Sequence, residues 1–270
     1  MKLTPLLPFL LSCLSCCAQF GSFSDQPFFS GTYPVPGIPQ TIAGLQLWLA
    51  PESLSGTNDQ VISTWTDSSG NGYHAKGTNG PTLTNSILNG FAGITFGTDT
   101  TKYLKVTNAA AHSAFTNLDG CTLFSVLKKK VNPAGDGHWF EIASPTASLF
   151  RLLDTSLDAH YFYSNKADST NGVGFKLCAS PFPTGFNVLT HLIQWTNVTL
   201  NFHINGASTN TITLQGTGQK STTPVNNILL GAGSQPAFNG WLVELIAYST
   251  VLSTSNRAVV ELYLKTKYGL

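Results

Sequence analysis

Charged side chains are scarce in this chain of 270 residues: Asp, Glu, Lys and Arg make up 10% of it, against about 25% in an average soluble protein. With a net charge of +1 and one basic run, Lys128-Lys129-Lys130, the chain lacks the broad positive field that concentrates nucleic acid, which excludes that partner class. The triplet reads as a solvated strand end that discourages edge pairing. Long apolar runs are missing as well. The longest, Leu6 to Leu14, is too short to span a bilayer. Catalytic patterns are absent too: no Gly-x-Ser-x-Gly elbow, no HExxH helix and no phosphate-binding glycine loop. Retaining glycoside hydrolysis needs two carboxylates about 5 Å apart, whereas Glu52, Glu141, Glu244 and Glu261 are scattered and form no ExDxxE pattern. Glu244, in the last long strand, reads as bonding the backbone of a neighbouring turn. The histidines are dispersed and read as ordinary strand residues. The chain is therefore expected not to be an enzyme.

Cysteine is confined to few places. Cys13, Cys16 and Cys17 lie in the leader MKLTPLLPFLLSCLSCCA, leaving Cys121 and Cys178 for the rest. One lysine, an apolar stretch and then small residues is the order of a secretory signal peptide, with cleavage after Ala18. Leu14-Ser15-Cys16-Cys17 also loosely matches a lipobox, and a third reading retains the leader inside an assembly. In an oxidising compartment Cys121 and Cys178 can pair, or serve as two buried apolar thiols. No CxxC pair with a partner pair stands in the domain, so zinc is not expected.

The polar positions are filled by Thr, Ser, Asn and Gly, and 42% of residues are hydrophobic, enough for one large core. Residues 1–18 read as the leader, 19–41 as a Pro/Gly-rich arm (QPFFSGTYPVPGIPQ) lying along a surface, and 42–270 as one domain. Strand patterns fall at 45–49, 61–65, 93–96, 103–106, 122–128, 139–143, 149–153, 160–163, 174–178, 188–195, 198–204, 209–214, 227–230 and 241–248. So many short runs between Gly, Asn, Pro and Asp clusters predict an all-β antiparallel jelly-roll β-sandwich. Val198, Leu200, Phe202 and Ile204 alternate with polar residues, and Asn205-Gly206 supplies the two positive-φ positions of a hairpin. Asn197-Val198-Thr199 is a glycosylation sequon, relevant in a eukaryotic secretory route. One C-terminal α-helix is predicted, capped by Ser253 or Ser255 and stopped by Gly269, with Val259, Leu262 and Tyr263 as its apolar stripe and Glu261 paired to Lys265.

The ends of the chain carry a family likeness. Leu47-Trp48-Leu49, then Trp65, Asp67, Ser69, Gly70, Asn71 and Gly72 with Ala75 after them, the Asn205-Gly206 hairpin, Gly240-Trp241-x-x-Glu244 and the closing Lys267-Tyr268-Gly269-Leu270 together resemble the laminin-G-like jelly rolls of the concanavalin-A-like lectin and glucanase superfamily. The likeness covers nearly all of residues 45–270. It implies a β-sandwich, and a superfamily whose members often bind calcium or glycans. Ala50 and Ser249 stand where many relatives carry Asp, so any calcium here would rest on Asp67, Asn71 and loop carbonyls; the same residues serve equally as an Asx-type turn. Trp48, Trp65 and Trp241 are assigned to the core.

Two functions follow as expectations. A glycan or cell-surface recognition module would use aromatic faces and amide or hydroxyl groups, the candidates being Trp139, Tyr161, Tyr163, Asn201 and His203. A structural or receptor-contacting protein of a virion or other extracellular assembly would use the low-charge surface, with self-association through residues 19–41. Both place the chain outside the cell or on a surface.

Overall fold

The computed structural model describes residues 38–77, 79–97, 99, 101–130, 137–143, 148–154, 159–164, 174–214, 220–221, 227–231 and 238–270. The leader and most of the arm lie outside these. In chain order the elements are α1 (Ile38–Thr41), β1 (Leu45–Leu49), β2 (Thr64–Trp65), β3 (Ala75–Lys76), β4 (Thr82–Leu88), β5 (Phe91–Thr95), β6 (Tyr103–Val106), α2 (Ala109–Ala114), β7 (Gly120–Lys129) and β8 (Gly137–Ala143). They continue with β9 (Ser148–Asp154), β10 (His160–Ser164), β11 (Gly174–Ala179), β12 (Asn187–Gln194), β13 (Thr199–Ile204), β14 (Ala207–Thr213), β15 (Asn227–Gly231), β16 (Gly240–Tyr248) and α3 (Thr254–Tyr268).

The strands form two eight-stranded antiparallel sheets. Sheet A runs β14-β13-β12-β7-β16-β5-β4, and β1 joins the far half of β16 beyond β5. Sheet B runs β11-β10-β9-β8-β15-β6-β3-β2. This is the predicted all-β sandwich. Its topology follows from period-2 burial. On β7, Cys121, Leu123 and Leu127 point into the inter-sheet core, while Phe124 and Val126 point to the other side. Sheet A is thus apolar on both faces, and its outer face needs a cover. That cover is α3, whose Val260, Tyr263, Leu264 and Tyr268 pack on Trp48, Phe124, Ile246 and Tyr248. Helix α1 joins the same layer: the Tyr248 hydroxyl donates to the Pro39 carbonyl at 2.9 Å.

The β13–β14 hairpin forms as its residues dictate, with Asn205 at φ 51° and Gly206 at φ 85°. Helix α3 starts on Ser253, whose side chain accepts from the Asn256 N–H, and stops on Gly269 at φ 68°. Of the expected stripe only Tyr263 is buried. Val259 and Leu262 are 44% and 63% exposed, whereas Glu261 and Lys267 are buried. Glu261 pairs with Arg257, not Lys265.

That inversion has a cause in β16. The register slips between Leu242 and Glu244, so Val243 and Glu244 both oppose Val126. Such a bulge turns two consecutive side chains to one face. Glu244 therefore leaves the inter-sheet core and meets the helix. It accepts from Trp48 Nε1 at 2.6 Å, Lys267 Nζ at 2.7 Å, Tyr263 OH at 3.3 Å and Tyr268 OH. Its partners are side chains, not the backbone of a turn. Burial raises its carboxyl pKa, and Lys267 with Tyr268 and Trp48 pulls it back.

Candidate functional site: the outer face of sheet B

Helix α3 lies over sheet A and not over the outer face of sheet B. Ile142, Leu152, Leu104, Val106, Ile228 and Leu230 point from it into the core, so their strand neighbours point out. The pairing register aligns Lys76 with Lys105, Lys105 with Leu229, Leu229 with Glu141 and Glu141 with Arg151. One row of side chains therefore crosses β3, β6, β15, β8 and β9. Directly opposed residues of this kind have Cβ atoms roughly 5 Å apart. At its centre Glu141 is buried, with Arg151 Nε at 3.4 Å and His138 Nδ1 at 3.4 Å. A slip between His138 and Phe140 puts His138 beside Glu141. Tyr161 stands in the neighbouring row, opposite Leu153 on one side and Leu177 on the other. Tyr161 and Arg151 are half-buried, and Leu177 is exposed. An aromatic ring beside a guanidinium and a carboxylate is the chemistry that grips a polyol: a face for C–H surfaces, and charged groups for hydroxyls.

The sequence candidates do not converge. Tyr161 is on this face. Tyr163 pairs through its backbone with Arg151, and its side chain lies outside the described atoms. Trp139 is not on a surface at all. It is 0% exposed, packed in the inter-sheet core against His160, Phe182 and Phe238, because the slip beside it turns it inward. Asn201 and His203 belong to β13 and point to the α3 side of sheet A, across the core from Tyr161. There Asn201 accepts from Thr211 Oγ1 at 2.9 Å, and His203 Nδ1 lies 3.3 Å from Arg257 Nη1. Burial and the Arg257 charge lower the His203 pKa. Glu141, Arg151 and His138 were not legible as a group, since their meeting depends on the slip between His138 and Phe140 and on the register of β8 with β9.

The Asp67 turn is fully engaged. Its carboxylate accepts from Trp48 N at 3.0 Å, Ser69 N at 2.9 Å, Ser69 Oγ at 2.7 Å and Tyr73 N at 2.9 Å. Asn71 Nδ2 donates to the Gln46 carbonyl at 2.9 Å. Gly70 and Gly72 adopt φ 94° and 73°, where a side chain would be strained. Trp241, expected in the core, is half-buried, with Lys128 and Lys130 over its ring at 5.8 and 5.6 Å. The lysine run is thus bound to aromatic faces.

A second cluster lies in the core. His160, Cys178 and His191 are all buried, with their ligand atoms within 4.8 Å of one another. Cys121 and Cys178 are separate thiols. Sequence reading missed this group, although a signal was present: His191 shares the inward parity of Leu189 and Ile193, and His160 that of Phe162. A polar residue on the apolar parity of a strand must find a partner inside.

No protein-family model matches the chain, and no curated protein sequence does. Solved structures do. A Trypanosoma rangeli sialidase in complex with sialic acid superposes at TM-score 0.59 and 13% identity, over 84% of this chain and 34% of that one. The binding domain of botulinum neurotoxin DC with rat synaptotagmin II matches at TM-score 0.60 and 13% identity, over 82% and 52%. Domain 4 of AbnA, a GH43 extracellular arabinanase from Geobacillus stearothermophilus, in complex with arabinotriose, matches at TM-score 0.55 and 15% identity, over 81% and 97%. At these identities the likeness is one of fold. The chain spans about a third of the sialidase, about half of the toxin domain and nearly all of the arabinanase domain.

Proposed function

We propose that this chain is a noncatalytic recognition module of the laminin-G-like, concanavalin-A-like kind, exported or displayed, that binds a glycan on the outer face of sheet B. The observation that carries the reading is the row Lys76, Lys105, Leu229, Glu141, Arg151 beside Tyr161, on the face of sheet B that α3 does not cover. The arabinanase domain of like fold supports it, being described with a bound trisaccharide; so does a type C botulinum neurotoxin structure, whose description makes cell entry dependent on two ganglioside molecules. Glu141 is the one carboxylate among the described side chains of this face, and it is held between Arg151 and His138. A glycosidase of the usual kind needs two, so binding without hydrolysis is the simpler reading.

The test is a panel of immobilised oligosaccharides probed with the full chain, followed by titration of whichever is retained. Tyr161→Ala and Arg151→Ala, each checked for folding by circular dichroism, are expected to weaken binding roughly tenfold or more, the size of a lost stacking face or charged hydrogen bond. Asn201→Ala, on the opposite side of the molecule, leaves affinity unchanged. Equal affinity in all three variants would remove this face from consideration.

A further inference from the structure

The buried cluster between the sheets has the composition of a metal site, and its supports are already built. Cys178 is the extra residue of a strand slip: His160 pairs with Ala179 and Tyr161 with Leu177. The slip lets Leu177 face out and Cys178 face in. The Phe162 backbone hydrogen-bonds the Cys178 sulfur. His160 Nδ1 lies 3.0 Å from the Leu153 carbonyl. A carbonyl only accepts, so Nδ1 carries the proton and Nε2 keeps its lone pair. This is the outer-shell arrangement that fixes a ligating histidine. That lone pair faces His191 Nε2 at 2.7 Å, and His191 Nδ1 is buried with no partner among the described residues. The walls are apolar: Trp139, Phe182 and Phe202 lie 4.8, 5.8 and 5.1 Å from the His160 ring between centroids.

Without an ion this arrangement is a poor use of a core. Two imidazoles and a thiol lose their hydration, and besides the backbone contacts at Leu153 and Phe162 they share one ring–ring hydrogen bond. An ion would turn the same groups into a complete donor set. We propose that His160, Cys178 and His191 form a three-coordinate site for a soft monovalent cation, Cu(I). On binding, the Cys178 S–H proton leaves to solvent and the His191 proton moves from Nε2 to Nδ1, so that two neutral imidazoles and one thiolate face the ion. The site then closes at zero net charge, which a dry interior favours. A divalent zinc ion would leave a unit positive charge there and wants a fourth ligand; among the described residues the cluster offers three. Thiolate with imidazole is a donor set suited to copper. Donor atoms around such an ion stand roughly 3.5–4 Å apart at metal–ligand distances of about 2.0–2.3 Å. From 2.7 Å the histidine nitrogens must part by about 1 Å, and the sulfur, within 4.8 Å of them, must close by at most about 1 Å, within reach of side-chain rotation.

The inference is independent of the glycan reading. Its test uses the full chain with Cys13, Cys16 and Cys17 changed to Ser, so that leader thiols contribute nothing. The chain is refolded from denaturant under reducing, anaerobic conditions with Cu(I) held by a chromogenic chelator, because a closed core loads best while it forms. One equivalent of copper withdrawn from the chelator, with copper X-ray absorption showing one sulfur and two nitrogen neighbours, is the expected result. Cys178→Ser loses that equivalent and Cys121→Ser keeps it. No copper retained, a sulfur-free absorption spectrum, or zinc bound where copper is refused would each overturn the assignment. The absorption spectrum decides even if Cys178→Ser fails to fold.

Discussion

Asp67 shows how a single side chain can hold two strands in place. One oxygen takes the backbone N–H groups of Trp48 and Ser69, the other takes Ser69 Oγ and the Tyr73 N–H. These four donors use the lone-pair directions that a hard cation would need. We therefore expect calcium, added or chelated, to leave the melting temperature unchanged, and Asp67→Ala to lower stability by about 2–4 kcal/mol in urea unfolding. A calcium-dependent rise in melting temperature would show that the turn opens to admit the ion. The buried histidines give a second test. Burial lowers the His160 pKa from 6.5 to about 4, and His191 shifts in the same direction, pushed further by its imidazole neighbours His160 and His203. The folded chain thus prefers these rings neutral. Their contribution is complete above the unfolded value and drains away as pH falls from about 6.5 toward 4, because the unfolded state takes up the protons. For His160 alone this amounts to about 3 kcal/mol. Urea midpoints of the metal-free chain should drop between pH 7 and pH 4.5, and His160→Phe should flatten that slope.

At the scale of elements, the strands were legible and the helix face was not. Leu45–Leu49 and Tyr103–Val106 fall where the pattern put them, since a half-buried strand writes its burial into every second residue. Strand β4 was missed because Asn85 and Ser86 interrupt its alternation. Ser86 sits at φ 51°, and the pairing slips between Thr84 and Leu88. In α3 the expected stripe held only at Tyr263: the face turned to the sheet also carries Lys267 and Glu261, while Val259 and Leu262 face water. Nothing local distinguishes these cases, because the partner that makes Lys267 an interior residue is Glu244, delivered by a bulge in another element. Lys267→Met strands that carboxylate and is expected to destabilise the chain by about 3–5 kcal/mol. Leu262→Ser should stay within about 0.5 kcal/mol. Thermal unfolding of the two variants checks the inversion; a larger loss from Leu262→Ser would contradict it.

At the scale of the whole sandwich, sheet A is apolar on both faces and carries α3 as its cover. Sheet A is closed on both sides, by sheet B and by α3; α3 does not reach the outer face of sheet B, where His138, Glu141 and Leu153 are nonetheless buried. The sandwich was readable from the sequence because composition, turn residues and period agree. The order of strands was not, since β7 meets β12 and β16 from distant parts of the chain. The candidate site was legible only at Tyr161. Its other members are assembled by sheet register, which no single segment encodes. The position of α3 sets where a ligand should act. The direct measurement is hydrogen–deuterium exchange of the full chain with and without a saturating oligosaccharide from the panel. Slower exchange in β8, β9 and β10, with α3 unchanged, is the predicted result. Protection centred on α3 or the β13–β14 hairpin, or a panel from which no glycan is retained, would contradict the account.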